Sequence, residues 1–256
     1  MSLGFAVTRV GTAVVDAVTA GRQGPGPLWA AAVPATPGLV TNEYAYWNPQ
    51  DPTAVRSPDW ELTSGSLFST GSALWTGRPD TANPNATSSN GTDSAVFRLT
   101  TRRADFGDVA VDFTLHNNAL TSTTSTPPVD WDGVHIFLHY QSEYELYYAS
   151  VNRRDGHVVI KKKCAGGPSN GGSYYELGPG EVRGHAIPLG TDQRVGATVV
   201  DNADGSVTLT LRLGGVTVVT ATDAGVGCAP ITAPGKVGVR GDNDDFTVTG
   251  FTVTAA

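Results

Sequence analysis

Residues 131–148 read WDGVHIFLHYQSEYELYY, and this stretch decides the fold class. Apolar side chains occupy every second position from Val134 to Tyr140, which is the period of a β-strand with one buried face. The alternation resumes after residue 143, so we expect two neighbouring strands. Their core face is predicted to include Val134, Ile136, Leu138 and Tyr140. Their opposite, solvent-facing side is predicted to carry His135, Phe137, His139, Glu143, Glu145 and Tyr147.

Further strands are predicted on both sides of this pair. Asp155-Gly156 and Asp204-Gly205 are typical of tight hairpin turns between strands. Strand-like stretches continue through residues 194–200, 206–213, 216–220, 237–240 and 246–253. In the last of these the apolar phase slips, which predicts a β-bulge at Gly250. No helix of ordinary length is needed after residue 40, so we expect an all-β fold made of two antiparallel sheets.

The composition is that of a β-protein with an acidic balance. The chain has 256 residues, 39% of them hydrophobic, and a net charge of −7. This balance argues against non-specific nucleic-acid binding, which needs a basic face. The basic run at residues 161–163 is interpreted as a solvated strand edge, and no stretch approaches the roughly 20 apolar residues of a membrane span. Cys164 and Cys228 are either disulfide-bonded or two buried thiols, because spacing alone does not decide between them.

Residues 1–40 differ from the rest of the chain. An apolar stripe at helical spacing precedes a Pro/Gly/Ala-rich stretch at residues 24–38, which we interpret as an N-terminal arm and an extended linker. Residues 41–256 form the predicted sandwich. Segments below about 40 residues rarely fold alone. We therefore expect the arm to pack on the sandwich or on other subunits, and we expect a homo-oligomer.

Four segments resemble the concanavalin-A-like jelly roll, in particular its laminin-G-like and glycan-hydrolase-associated branches. They are Trp60-Glu61-Leu62, the strand pair at 131–148, the hairpin DGHVVIKKK at 155–163 and GKVGVRGDNDDF at 235–246. The resemblance covers roughly residues 42–254 and implies a two-sheet antiparallel jelly-roll sandwich with a polar face where a glycan would bind. The chain also resembles minor tail proteins of phages that infect actinobacteria, which implies a place on a virion.

The polar face of the strand pair is the predicted glycan site. A pyranose presents an apolar face to an aromatic ring, and Trp offers the largest ring area. Trp131 is the favoured platform, since Pro127-Pro128 before it and Asp132-Gly133 after it mark a loop edge. The predicted glycan-binding residues are Trp131, His135, His139, Glu143, Glu145, Tyr147 and Arg153.

The alternative is a catalytic centre on the same face. Glu143 and Glu145 are two residues apart, which on a strand would place both carboxylates on one side, as a retaining glycosidase requires. The glucanases of this fold carry Glu-x-Asp-x-x-Glu or a close variant, however, and the third acid is absent here. A polysaccharide lyase would need a His or Tyr base and a cation for the uronate, for which His139, Tyr147 and Arg153 are the candidates.

Consecutive oxygen-bearing residues at 242–245 predict a second kind of site. Calcium takes 6–8 oxygen ligands, and Asp242, Asn243 and Asp244 are the predicted metal ligands. The alternative is that Asp and Asn only form the turn.

Taken together, these features favour a non-catalytic structural and recognition protein, a phage minor tail or virion-surface component with a glycan-binding sandwich. Its expected partners are a cell-surface glycan and, through residues 1–40, other subunits of an assembly, on a virion tail or an extracellular surface. A carbohydrate-active enzyme of the same fold is the alternative, and an actinobacterial carbohydrate-binding module of non-viral origin is a third interpretation.

Overall fold

The structure is a computed structural model, and it describes residues 26–77 and 95–256. Its strands form two antiparallel sheets. The first sheet contains nine strands: β1 (Trp29–Ala30), β2 (Gly38–Asn42), β4 (Ser66–Ser69), β5 (Leu74–Trp75), β7 (Val109–Leu120), β12 (Asp192–Asp201), β13 (Val207–Leu213), β14 (Val216–Asp223) and β16 (Asp244–Ala255). The second contains seven: β3 (Trp60–Ser64), β6 (Val96–Thr101), β8 (Gly133–Ser142), β9 (Glu145–Arg153), β10 (Val158–Ser169), β11 (Gly172–Val182) and β15 (Lys236–Asp242).

The strand order makes the architecture a sandwich. The nine-stranded sheet runs β14-β13-β12-β7-β16-β5-β4-β2 with β1 beside β16, and the seven-stranded sheet runs β11-β10-β9-β8-β15-β6-β3. One four-residue helix, α1 (Tyr44–Trp47), is the only helix in the described part of the chain. The predicted all-β class with two antiparallel sheets is confirmed.

The core lies between the two sheets. Val134, Ile136 and Leu138 are fully buried there, as their alternation predicts. The same core takes large side chains from the facing sheet, among them Phe113 and Phe251, whose rings stack with centroids 5.2 Å apart. Burying this apolar surface stabilises the sandwich at about 25 cal/mol per Å², and it leaves the alternate side chains of β8 pointing outward.

The predicted alternation ends at residue 138 of β8. The pairing with β9 shifts between Leu138 and Ser142, and His139 adopts a left-handed backbone with φ of 43°. One irregularity of this kind reverses every following side chain. Tyr140 was predicted to enter the main core, but the irregularity turns it outward. It packs in a small outer cluster with Phe137 and Leu146.

Turn and bulge predictions elsewhere are confirmed. Asp155-Gly156 connects β9 to β10 with Gly156 at φ 72°, and Asp204-Gly205 connects β12 to β13 with Gly205 at φ 83°. In β16 the register shifts between Thr249 and Thr252, and Gly250 adopts φ 61° at that point. Glycine adopts this conformation without the steric cost of a Cβ.

The predicted linker contains strands of the sandwich. β1 pairs with β16, and the boundary predicted after residue 40 falls inside β2. The half-buried Trp29 packs edge-on against Trp60 and Phe251, with ring centroids 5.0 and 5.9 Å apart. Residues 1–25, which hold most of the predicted arm, lie outside the described residues. In the described ranges, residues 26–77 and 95–256, no helix is long and apolar enough to span a membrane.

The basic run at 161–163 is not a solvated edge, which corrects the sequence interpretation. β10 lies between β9 and β11, so its side chains alternate between the core and the outer face. Lys162 is fully buried in the core, where its ammonium contacts the Asp223 carboxylate at 2.7 Å and donates to the carbonyl of Cys228. Cys228 in turn forms a disulfide with Cys164 of β10, which resolves the open alternative for the two cysteines.

Candidate functional site

A pocket of about 280 Å³ opens on the outer face of the seven-stranded sheet. We call it the outer-face pocket. Its volume is near the lower end of the range of about 300–1,000 Å³ that small-molecule sites occupy. Because the core face of each strand is apolar, the alternate positions bring polar and aromatic side chains together here. The lining residues are Trp131, His135, Phe137, Tyr148, Ser150, Arg153, Lys161, Ser169, Tyr174, Arg240 and Asp242.

A hydrogen-bonded network forms the floor of the outer-face pocket. His135 Nδ1 lies 2.8 Å from Ser150 Oγ on β9, and its Nε2 lies 3.2 Å from Asp242 Oδ2 on β15. The Arg240 guanidinium donates to the same carboxylate at 2.8 Å. Burial lowers the pKa of His135. Burial alone would raise the pKa of Asp242, but Arg240 and His135 together hold it well below its usual range. The floor therefore carries a fixed carboxylate–guanidinium pair at neutral pH.

Aromatic rings extend from this floor across the sheet. The Tyr148 ring meets His135 edge-on at 5.2 Å and Tyr174 edge-on at 5.4 Å. Trp131, in the loop before β8, is 57% exposed at the rim. An exposed indole beside partly buried rings offers both a stacking surface and hydrogen-bonding edges, which is the combination that a sugar ring requires.

Charged residues form one wall of the pocket. Arg153 pairs with Asp155 at 2.5 Å and with Glu181 at 2.6 Å. Asp155, His157 and Glu181 together bring three ligand-type atoms within 4.8 Å of one another. The Arg153 guanidinium pairs with both carboxylates, and Lys161 Nζ lies 3.9 Å from Glu181 as a second cation. This cluster is therefore organised as an ion-pair network around a cation that belongs to the protein.

Three of the predicted glycan-binding residues meet in the outer-face pocket: Trp131, His135 and Arg153. Glu143 does not line it, because its carboxylate pairs with Arg98 at 3.0 Å. Residues 143 and 144 form the turn between β8 and β9, and exposed Glu145 is the first residue of β9. The two glutamates are therefore not neighbours along one strand, which corrects the geometry expected for a pair of catalytic carboxylates.

His139 and Tyr147 do not reach the outer face, which corrects the predicted register. The fully buried His139 has Nδ1 2.7 Å from the carbonyl of Ile231 and Nε2 3.1 Å from that of Gly107. The Tyr147 hydroxyl donates to Asp223 at 2.6 Å and accepts from the backbone N–H of Ile231. Both side chains hold the loop after β14 against the sandwich, because the bulge turns His139 inward and Tyr147 lies on the core face of β9.

The three predicted metal ligands diverge. The Asp242 side chain lies in the pocket floor, while Asn243 donates to Asp132 Oδ2 at 3.0 Å and Asp244 accepts from the Asn117 amide. Asn243 has a left-handed backbone with φ of 46°, which separates the directions of its neighbours. Asp242 therefore belongs to the pocket and not to a ligand set with Asn243 and Asp244.

Sequence analysis missed several pocket residues. They include Tyr148 and Ser150 of β9, whose outward-facing positions were predicted wrongly because residues 143 and 144 form a turn. They also include Tyr174 of β11, whose outward-facing positions were not assigned. Arg240 and Asp242 carried a usable signal, since two charged residues at positions i and i+2 of a strand face one side. The register then places Arg240 opposite His135, which only strand pairing reveals.

Comparisons with known proteins place this geometry in a known fold. No family model matches the chain, and no curated protein matches it. The metal-free carbohydrate recognition domain of Emp46p aligns with a TM-score of 0.51 and 9% identity over 85% of this chain and 96% of that one. A structure from work on endo-acting O-glycanases of the human gut microbiota aligns with a TM-score of 0.50 and 8% identity over 90% and 99% of the two chains. Such low identities establish the fold alone, and the chain has the concanavalin-A-like jelly-roll fold that its sequence resembles.

Proposed function

We propose that this protein is a non-catalytic recognition protein that binds a glycan in the outer-face pocket. The observation that carries the proposal is the exposed indole of Trp131 above a floor of fixed polar groups, His135, Arg240 and Asp242. The ring supplies an apolar platform, and the floor supplies donors and acceptors for hydroxyl groups. Binding sites combine these two elements, since apolar contact gives affinity and a few placed polar groups give orientation.

The positions of the carboxylates favour binding over hydrolysis. A retaining glycosidase needs two carboxyl groups about 5–5.5 Å apart on either side of the scissile bond. Glu143 is neutralised by Arg98, and Asp242 is held by Arg240 and His135. Asp242, whose pKa is depressed and which has a permanent cation beside it, is a poor general acid.

Ser150, His135 and Asp242 form a hydrogen-bonded chain of the residue types that serine hydrolases use. The arrangement lacks two features of that chemistry. Ser150 is 1% exposed, and its backbone lies inside the ladder between β8 and β10. The N–H groups around it pair with neighbouring strands, so they do not form an oxyanion hole.

The proposed setting is a virion tail or another extracellular surface, with assembly contacts made by the N-terminal arm. The disulfide between Cys164 and Cys228 supports an oxidising environment. The arm contacts rest on sequence, because residues 1–25 lie outside the described residues. A cell-surface glycan is the proposed partner in this setting.

A calcium ion is proposed near Asn243 and Asp244. Both residues are buried, and the Oδ1 atom of each has no hydrogen-bond partner among the described residues. Buried oxygens without donors suit a hard cation. Calcium should raise the melting temperature of the wild-type protein and leave that of Asp244→Asn unchanged. Equal responses of the two proteins, or no response of the wild type, would remove the ion from the proposal.

A glycan array tests the main proposal, together with assays for reducing ends, unsaturated uronates and ester cleavage. We expect binding without turnover, and we expect Trp131→Ala to weaken binding by up to about 10-fold, since contact with one aromatic ring contributes roughly 0.5–1.5 kcal/mol. Leu189→Ala is the matched control, because it also removes an exposed apolar side chain, at 49% exposure, but outside the pocket. Release of product by the wild-type protein would replace the recognition function with an enzymatic one.

A further inference from the structure

Lys163 lies on the same outer face as the pocket. It is two residues after the pocket residue Lys161 along β10 and therefore the next outward-facing side chain of that strand. The register places Lys163 opposite Tyr174 of β11 and opposite Leu146 of β9. Its neighbour Lys162 points into the core, so the alternation directs Lys163 outward. Gly172 allows the strands to close over its stem, since a Cβ at that position would lie 2.5 Å from Lys163 Cε.

The other cations of this face each have a carboxylate partner. Arg98 pairs with Glu143 at 3.0 Å and Arg240 with Asp242 at 2.8 Å. The two cations of the pocket wall are also paired, Arg153 with Asp155 and Glu181, and Lys161 with Glu176. These four positive charges of the outer face are therefore compensated within the protein, and one buried cation of the described part of this face differs from them.

The exception is Lys163. Its ammonium has no hydrogen bond or ion pair among the described residues, although the residue is only 3% exposed. Its charge is met only by two aromatic rings, Tyr174 with its centroid at 4.9 Å and Tyr144 at 5.8 Å. Cation–π contacts contribute less than a carboxylate partner would, and a buried charge without a counter-ion is costly.

The electrostatic surroundings of Lys163 favour an incoming anion. Burial, then Arg240 of β15 and Arg98 of β6, lower the pKa of Lys163 to about 8, against an opposing effect of Glu143 in the β8–β9 turn. The other titratable groups on this side include Tyr144 of that turn, Tyr148 of β9, Tyr174 of β11 and Tyr140, which packs with Leu146 opposite Lys163. An acidic group beside the ammonium would supply the negative charge that Lys163 lacks among its described neighbours.

One of the two rings beside the Lys163 ammonium belongs to an exposed side chain. Tyr144 is 40% exposed and lies in the two-residue turn between β8 and β9. Its ring is the more distant of the two that contact the ammonium. A rotation of this side chain away from the sheet would expose the ammonium without any change in the strands.

We propose that Lys163, between Tyr144 and Tyr174, binds the acidic group of a charged glycan, a carboxylate or a sulfate ester, so that the protein selects acidic over neutral polysaccharides. The inference rests on the proposed glycan-binding function and names its substrate class. Trp131 and the pocket floor contact the sugar ring, and Lys163 reads its charge.

The test compares sodium alginate, a sulfated carrageenan and neutral laminarin as probes for the wild-type protein, Lys163→Met and Arg212→Gln. Methionine retains most of the stem volume of lysine without its charge. Arg212→Gln removes one positive charge from the other sheet, where Arg212 pairs with Asp112, and so controls for net charge. We expect Lys163→Met to lose affinity for the acidic probe by at least about tenfold, the loss typical of one charge-assisted contact, while Arg212→Gln binds as the wild type.

The pH dependence gives a second readout. Affinity of the wild-type protein for the acidic probe should fall between pH 7 and pH 9.5 as the ammonium deprotonates, and that of Lys163→Met should not. The folding of the variant is checked by its melting temperature, which we expect to rise at pH 7 because an uncompensated buried charge is removed.

The outcomes separate the two proposals. Tight binding to alginate alone identifies a carboxylate, and tight binding to carrageenan alone identifies a sulfate ester. Binding to laminarin equal to that of the acidic probes, or an unchanged affinity in Lys163→Met, overturns the inference and leaves glycan binding intact. Binding to none of the three probes and to no glycan on the array overturns both.

Discussion

At the scale of single residues, the direction of a side chain decides its role. Tyr147 and Tyr148 are adjacent and chemically alike, yet Tyr147 is buried in the main core and Tyr148 lines the outer-face pocket. The alternation of side chains along β9 separates them. The pocket therefore depends on which of two neighbouring tyrosines faces outward.

Replacing Tyr147 with Phe should reduce stability and leave glycan binding unchanged. The hydroxyl donates to Asp223 and accepts from the N–H of Ile231, so its removal takes this acceptor from the buried N–H of Ile231 and one donor from Asp223. We expect a loss of about 1–3 kcal/mol in the free energy of unfolding, measured by urea denaturation. Tyr148→Phe is the control for stability. The described contacts of Tyr148 are made by its ring, which phenylalanine keeps. A Tyr147→Phe variant that is as stable as the wild type but defective in binding would return Tyr147 to the glycan site.

Asp244 should make the protein less stable as pH rises. Burial raises its pKa well above the usual value. The folded state therefore holds the proton more tightly than the unfolded state, whose pKa is about 3.9. Stability falls as pH rises above that value and stops falling above the folded pKa. Asp244→Asn should remove this loss. At pH 8, in the presence of a chelator, its free energy of unfolding should exceed that of the wild type by about 1–3 kcal/mol, measured by urea denaturation.

The exposed Asp105 provides the comparison for this change. A hydrogen bond from Arg103 lowers the pKa of Asp105, which is the opposite direction. Asp105→Asn should therefore bring no gain in stability at pH 8. If Asp244→Asn is less stable than the wild type at pH 8 under the same conditions, the ionised carboxylate is stabilised by a contact besides that with the Asn117 amide.

At the scale of elements, the loop after β14 is held by several independent contacts. Tyr147 and His139 reach it from β9 and β8, Lys162 reaches it from β10, and the disulfide joins Cys228 to Cys164. These contacts explain why polar residues occupy the core side of the seven-stranded sheet. They also join this loop to the strands that carry the pocket.

Removing the disulfide should destabilise the sandwich without unfolding it. The bond spans 64 residues of sequence. Without it the unfolded chain gains conformational entropy, which lowers the free energy of unfolding by about 4 kcal/mol in the chain-entropy model. The Cys164→Ala, Cys228→Ala double variant should unfold at correspondingly lower denaturant, with Lys162 and Tyr147 still anchoring the loop. Treatment of the wild type with a reductant should produce a similar shift, and a shift below about 1 kcal/mol would show that the loop is held by the other contacts alone.

At the scale of the whole molecule, part of the predicted arm and linker belongs to the sandwich. This part contributes β1 and β2, and Trp29 packs against Trp60 and Phe251. The docking role was proposed for residues 1–40, and residues 1–25 can be removed without removing β1 or β2.

Two truncations test these two roles. Deleting residues 1–38 should reduce the free energy of unfolding by about 2–4 kcal/mol, because a large aromatic side chain and a strand are lost. Deleting residues 1–25 keeps Trp29 and both strands, so it should reduce stability less than the longer deletion does, and it should abolish oligomers. Denaturation measures the first effect, and light scattering of the eluted protein measures the second. Equal stability of the two truncated proteins would contradict the packing role of Trp29, and unchanged oligomers would contradict the docking role of the arm.

The sequence by itself determined the architecture and part of the site. Local periodicity and turn residues predict the strands, the two hairpins and the bulge at Gly250, because these features depend on residues close together along the chain. Trp131, His135 and Arg153 were found in the same way, from their position beside one strand pair. Tertiary structure decided the rest. The bulge at His139 turned that predicted glycan-binding residue inward, and Tyr147 lies on the core face of β9. Strand pairing across β8, β15 and β10 brought Arg240, Asp242 and Lys163 to one face. A one-residue shift reverses every side chain that follows it, and pairing between distant strands leaves no periodic signal, so the charges of the outer face become visible only once the sheets are assembled.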